Sequence, residues 1–219
     1  SIMDNLYRKD KGLFENTKKS LIKNIPFNLY LVLAVITIGM FNNNIKKALF
    51  TLVVFYFWAY LIHVIAHYLP PFKFAHSFHH NPSQSETWWG ISIETIVNIL
   101  GCGGITLAVF GMVFESLYGY RMFDYHVLFF TTIMYTSFHM INYHVLNVKT
   151  HSNHHENSKT NFGPDIMDIL FGTKMENDEY ENMNHAVYNI VFALVFITST
   201  FNTRFDIVKG IQKSINRII

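Results

Sequence analysis

The sequence predicts an all-α integral membrane helical bundle, with four transmembrane spans, a short fifth hydrophobic segment and a histidine-rich cap at one end. Composition is the first observation behind this. Half of the 219 residues are hydrophobic and only 15% are charged, where soluble domains carry about 25% charge. The 21 Phe and 12 Tyr agree with it, since aromatic rings fill apolar spans and settle at membrane interfaces. The second observation is a series of nearly uncharged apolar runs. The third is the placement of the 12 histidines, most of which gather beside the ends of those runs.

The four runs are 26–41, 48–69, 91–114 and 122–143. Run 48–69 carries no formal charge and would rise about 33 Å as a helix, enough for a hydrocarbon core of roughly 30 Å. Run 26–41 is short for a span. Run 91–114 contains Glu94 and the glycines Gly101, Gly103 and Gly104, which predict a bend or close helix packing. The fifth run, 186–201, has the length of a brief span, a re-entrant segment or a helix lying on the bundle. The chain thus divides into a polar arm at 1–25, a membrane-embedded unit at 26–201 and an amphipathic tail at 202–219. In the tail Ile207, Val208, Ile211, Ile215 and Ile218 recur at helical spacing with Lys209, Lys213 and Arg217 between them, as on a helix in the headgroup region.

Arg8, Lys9, Lys11, Lys18, Lys19 and Lys23 make the arm basic. It lacks a compact apolar run with a small-residue cleavage site, so it reads as a retained arm and not as a signal peptide. The positive-inside rule places it in the cytoplasm, with Lys46 and Lys47 as opposing charges. The spans then alternate so that loops 70–90 and 144–185 share the cytoplasmic face. A net charge of +2 from scattered basic residues excludes a nucleic-acid-binding stripe. The single Cys102 excludes an intrachain disulfide.

The histidines follow metal-ligand spacings. His63 and His67 lie four apart at the end of the most apolar run, so both rings project from one helix face and can reach a shared ion. In a helical turn His76 and His79 share a face with His80 beside them, and His151, His154 and His155 repeat the pattern after the fourth run. His139 and His144 form a third pair. Their interval turns the second ring by about 140° on a regular helix, so both face one ion only where the helix ends or loosens. First-row metals take about four to six ligands, so this set predicts two ions in a cytoplasmic metal-binding cap. His126 and His185 belong to no spaced pair and read as packing residues. Asp165, Asp168 and Glu156 are candidates to accept ring N–H bonds around the ligands. Helix capping is equally open to the two aspartates, and plain surface exposure to Glu156. Trp88 and Trp89 read as interface anchors or as the lining of a channel mouth, and Gly163 and Gly172 as turn glycines.

The order His-x-x-x-His, His-x-x-His-His, a histidine pair and a final His-x-x-His-His carries a more specific likeness. After it come His154-His155-Glu156, Asn161-Phe162-Gly163-Pro164 and Asp168-Ile169-Leu170-Phe171-Gly172-Thr173. Over roughly residues 48–175 this resembles the superfamily of fatty acid hydroxylases, sterol desaturases and methyl oxidases, and alkylglycerol monooxygenase. The interval from His139 to His144 departs from the three-residue gap expected of fatty acyl hydroxylases, which makes His144 the ligand least specified by the pattern. The resemblance implies a non-haem di-iron membrane oxidoreductase, a hydroxylase or desaturase. It would use two Fe ions and O2 on a membrane lipid, a sterol or fatty acyl chain, in an endoplasmic reticulum-type membrane.

Imidazoles bind zinc as readily as iron, so purified protein could carry Zn, but attack on an unactivated C–H bond requires a redox metal. No dinucleotide-binding glycine fingerprint is present, so electrons are expected from outside, and family analogy implies a cytochrome b5-like donor. Rival readings are a zinc-dependent lipid hydrolase with Glu86 or Glu156 as its base, a metal-stabilised membrane protein without catalysis, and a metal transporter. The last would place ligands near the bilayer midplane, not at one end.

Overall fold

The computed structural model describes residues 2–146 and 148–218, and side chains from Gly12 onward apart from Pro82. The arm's Arg8, Lys9 and Lys11 side chains lie outside the described residues. Among the described residues every regular element is helical. Helix α1 (Ile2–Lys23) meets α2 (Ile25–Phe41) at a sharp corner, Gly12–Lys23 and Ile25–Phe41 being bent by 80° to each other. Pro26 sits in the first turn of α2, where its missing N–H is not needed. The buried Asn24 holds this corner, its Nδ2 donating to Glu181 O at 2.9 Å and its Oδ1 accepting from Met183 N at 2.7 Å.

Helix α3 (Ile45–Tyr68) follows, capped by Asn44, whose side chain accepts from Lys47 N. The Pro70-Pro71 pair ends it and starts α4 (Pro70–His80), which leads through the short α5 (Pro82–Ser85) to α6 (Trp88–Val97). A π-turn at Asn98–Cys102 then separates α6 from α7 (Ile105–Tyr118). The remaining elements are α8 (Tyr125–His144), α9 (Lys149–Glu156), α10 (Asp165–Phe171), α11 (Val187–Thr200) and α12 (Ile207–Ile218). All five apolar runs of the sequence are therefore helical.

Two of these stretches, Ile45–Tyr68 and Trp88–Tyr118, are long and apolar enough to cross a membrane, or three if the bent pair Gly12–Lys23 and Ile25–Phe41 counts as one span. Helix α8, the fourth expected span, is long enough but more polar. It is the central helix, burying His126, Thr131, Thr132, Thr136, His139 and Asn142 among its neighbours. A helix enclosed by other helices need not be apolar, because protein and not lipid meets its polar groups.

The outer surface is apolar. On α3, Phe50, Val53, Phe57 and Leu61 are exposed, whereas Leu52, Phe55, Ala59 and His63 are buried on the opposite side. On α11, Tyr188, Val191, Phe192, Val195 and Phe196 are exposed. Patches this extensive mark a membrane protein, since water would penalise them. Helix α12 differs from the sequence expectation in one respect. Its Val208 is buried, and Ile211 and Ile215 pack against the core, while Gln212 Nε2 donates to Ser116 Oγ of α7 at 3.0 Å. Val208, Ile211 and Ile215 are thus covered by protein, while Ile207 and Ile218 stay exposed with Lys209, Lys213 and Arg217.

The glycine cluster makes a close helix contact as its composition predicts. Gly103 lies against α8, where an added Cβ would fall 3.1 Å from Thr132 Cα and 2.8 Å from Asn98 O. Thr132 Oγ1 donates to Gly103 O at 2.7 Å, and Trp58 Nε1 to Gly101 O at 2.9 Å. Gly103→Ala is therefore expected to destabilise the protein by about 1–3 kcal/mol, as overpacking does. Gly210→Ala, where a Cβ meets open space, should be neutral or slightly stabilising. Thermal unfolding of the two variants in detergent checks the contrast.

Candidate metal centre

Four helices deliver the histidines to one end of the bundle. The last turns of α3 carry His63 and His67, α4 carries His76, His79 and His80, α8 carries His139 and His144, and α9 carries His151, His154 and His155. The proline turn after Tyr68 folds α4 back beside α3, so the first two motifs face each other. Three groups result whose potential ligand atoms lie within 4.8 Å of one another: His63, His67, His76, His80 and His154; His79, His151 and His155; and His79, Glu94 and His139.

Hydrogen positions decide what the first group can do. His63 Nδ1 donates to Phe162 O and His154 Nδ1 to Thr160 O, both at 2.5 Å. In a neutral ring this leaves the lone pair on Nε2. Yet His154 Nε2 lies 3.0 Å from His67 Nε2, which lies 3.0 Å from His76 Nε2, which lies 3.0 Å from His80 Nε2. Each Nε2 can carry one proton and donate it once, so these three contacts cannot all be hydrogen bonds. Extra protons do not rescue them, because burial pushes the His76 and His80 imidazoles far down from their ordinary value. A divalent ion would satisfy every lone pair. With metal–nitrogen bonds of about 2.1 Å, ligand atoms at right angles lie about 3.0 Å apart. His63 Nε2 and His151 Nε2 are also buried without a hydrogen-bond partner, as expected of atoms directed at an ion.

In the second group His155 Nε2 lies 3.1 Å from His79 Nε2. The Tyr143 ring stacks on His151. A three-residue gap would put the partner of His139 at Tyr143, and the chain has a phenol there. His144, one residue on, falls outside the three groups and lies with its Nε2 3.0 Å from Glu94 Oε2.

The other expected site residues take distinct places. Asp168 accepts from Phe162 N at 2.9 Å, Gly163 N at 2.6 Å and Thr173 Oγ1 at 2.7 Å. It therefore braces the turn whose Phe162 carbonyl fixes His63, without hydrogen-bonding a histidine ring itself. Asp165 pairs with Lys174 Nζ at 2.9 Å and caps Glu181 N at 2.6 Å. Glu156 is exposed at the end of α9. His126 lies 3.2 Å from Asp206 at the opposite end of the bundle, and His185 bonds Asn142 Oδ1 at 2.6 Å. Both are packing residues. Trp88 and Trp89 stack on each other and are exposed.

Glu94 is the site residue that motif spacing missed. It is 4% exposed and meets His79, His139 and His144. Its signal in the sequence is a lone carboxylate inside an apolar run, which is functional by default when it faces the bundle interior.

Beside the imidazoles opens a cavity of about 370 Å³, lined by His63, His76, His79, Glu94 and His139 at its inner end and by apolar residues such as Trp58 and Leu100 elsewhere. Its lining includes Phe72, Ile96 and Leu100, which are about half exposed on the apolar outer surface. The cavity thus joins the histidines to exposed apolar residues of the outer surface.

Burial pushes His154 down to about 4 and His155 down to about 3. Below pH 6.5 an unfolded chain gains protons that the folded cap refuses, so these groups cost no stability above about 6.5 and progressively more as pH falls toward 4 and 3. Asp168, raised to about 6, and Glu181, raised to about 7, both by burial, have the opposite sign, losing stability as pH rises from about 4 to 7. The lowered imidazoles outnumber these two carboxylates. Metal-free protein is expected to melt several degrees lower at pH 5 than at pH 7.5; an unchanged or higher melting temperature at pH 5 would contradict this.

Comparison with known proteins agrees with this geometry. No curated protein and no solved structure matches the chain. The family model described as fatty acid hydroxylase matches residues 48–173, from α3 to the residue after α10's closing glycine, more than half of the chain. That stretch contains all ten expected ligands and Glu94. The chain belongs to the fatty acid hydroxylase family, within the fatty acid hydroxylase and sterol desaturase superfamily that its histidine motifs resemble.

Proposed function

We propose that the protein is an O2-dependent oxidoreductase that hydroxylates or desaturates a membrane lipid, a sterol or fatty acyl chain, at a di-iron centre. The observation that carries this is the cavity of about 370 Å³ lined both by imidazoles and by apolar residues exposed on the outer surface. His63, His67, His76, His80 and His154 would hold one ion, and His79, His139, His151 and His155 would surround the other, with His144 close by. Bound iron would supply the redox chemistry needed to activate O2 and attack an unactivated C–H bond, which zinc cannot do.

The chain's own residues perform the remaining work. Phe162 O and Thr160 O fix the tautomers of His63 and His154 so that both Nε2 lone pairs face inward. Trp58, Ile62, Ala66 and Leu100 would bind the lipid chain by apolar contact and exclude water from the reacting carbon. Membrane-embedded residues 26–201 form the catalytic unit in this reading. Helix α8 and the bent pair complete a four-span bundle whose histidine end faces the cytoplasm of an endoplasmic reticulum-type membrane, where a cytochrome b5-like donor delivers electrons. The basic arm and the family likeness support that orientation. Glu86 and Glu156, the bases a zinc hydrolase would need, are both exposed and outside the cavity lining.

Elemental analysis of detergent-purified protein tests the centre. The expected result is about two transition-metal ions per chain, lost in the His79→Ala, His154→Ala double variant while helicity is retained, and O2 consumption after iron loading. No stoichiometric metal after anaerobic iron loading, or lipid turnover without O2, overturns the reading. Ala75→Phe, which projects a ring into the cavity lining, is expected to lower turnover at least about 10-fold, the order set by a misplaced substrate, with metal content unchanged. Unaltered turnover would remove this cavity as the substrate path.

A further inference from the structure

Glu94 stands apart from the histidine motifs, and its surroundings give it a role of its own. It lies on α6, four residues before the π-turn at Asn98–Cys102, and its side chain is 3% exposed. The two carboxylate oxygens are used differently. Oε2 is 3.0 Å from His144 Nε2 in hydrogen-bonding geometry. Oε1 is 3.0 Å from His79 Nδ1 and 3.0 Å from His139 Nε2, yet neither Oε1 nor His79 Nδ1 makes a hydrogen bond. Close polar atoms that are not aligned as donor and acceptor, in a place without solvent, are arranged as ligands around a common centre.

The third histidine pair gives the chemical reason. His139 has Tyr143 where a three-residue gap would supply a second imidazole, and Tyr143 is stacked on His151. The next histidine, His144, is turned to Glu94 Oε2. The second group is therefore one imidazole short on the α8 side, and a carboxylate from α6 occupies that side. His79 can give one ring nitrogen to an ion: Nδ1 faces Glu94 Oε1 at 3.0 Å, while Nε2 faces His155 Nε2 at 3.1 Å, so an ion beside Glu94 takes His79 through Nδ1 and leaves Nε2 to hydrogen-bond His155.

We propose that Glu94 is an oxygen ligand of the second ion, beside His79 Nδ1 and His139 Nε2 and in the place of the missing imidazole, and that His144 is a positioning residue that orients it. The inference rests on the two-ion reading above. It makes the centre unsymmetrical, with one ion in an all-imidazole shell and the other in a mixed imidazole and carboxylate shell. An anionic oxygen ligand offsets part of the second ion's charge and raises its preference for hard divalent ions.

The test is metal binding, independent of turnover. Metal-free wild-type and Glu94→Gln proteins are titrated with Zn(II), and bound metal is counted after removal of free ion. The wild type is expected to bind about two ions, and Glu94→Gln about one, with the five-imidazole ion retained. His144→Ala should keep both, with the second bound about 10–100-fold more weakly, as loss of an orienting partner does. Should Glu94→Gln fail to fold, infrared difference spectra of the wild type with ¹³C-labelled glutamate decide. A carboxylate band that moves on the second equivalent of Zn(II) supports ligation. Two ions held by Glu94→Gln with unchanged affinity, or no moving band, overturns it. A wild type that binds fewer than two ions would overturn the two-ion reading instead.

Discussion

The structure depends on an electrostatic constraint: a dense set of buried and half-buried imidazoles that turn their ring nitrogens toward one another. In the group of His63, His67, His76, His80 and His154 the ligand atoms crowd within 4.8 Å, and single protons cannot satisfy the Nε2 contacts. Such an arrangement is costly in an empty interior, because unsatisfied polar atoms lose their water without replacement. It is stable around cations, which turns the same crowding into coordination. The fold is built to accept that constraint. Helices α3, α4, α8 and α9 each end or run at the same end of the bundle, so their rings converge although they lie far apart in sequence.

Around the rings, backbone and carboxylate groups set direction. Phe162 and Thr160 carbonyls each fix one tautomer, and Asp168 holds the Phe162 turn through three hydrogen bonds. In this chain the turn at 161–173 therefore braces His63 through the backbone. Asp168 acts on His63 through the peptide between them.

The membrane enters through the outer face. Exposed Phe50, Val53, Phe57 and Leu61 let lipid contact α3 on the side away from the histidines, while the cavity lined by Trp58, Ile62 and Ala66 runs along another face of the same helix. One helix thus faces lipid, cavity and metal ligands in turn. Because all three surfaces tolerate or require apolar side chains, its run 48–69 contains no charge. Helix α8 has the opposite character. Enclosed by protein, it carries Thr131, Thr132, Asn142 and His139, which find partners inside the bundle.

The sequence by itself determined the helical class, the five apolar helices, the membrane character and the histidine families, because helix periodicity, burial and ligand spacing are local properties. His63 with His67, and each His-x-x-His-His, are legible since residues three or four apart share a helix face. Only the tertiary structure decided how those motifs divide. It separated His79 from His76 and His80, joined His154 to α3 and α4, and turned His144 away from the imidazoles to Glu94. It also covered the apolar face of α12 with α7 and α8, a fate that amphipathic spacing does not distinguish from lying on a membrane. Glu94 was visible only as an anomaly, one carboxylate in an apolar run. Its meaning depended on which rings came to lie 3.0 Å away, and such distances arise from packing between helices that no single stretch of sequence encodes.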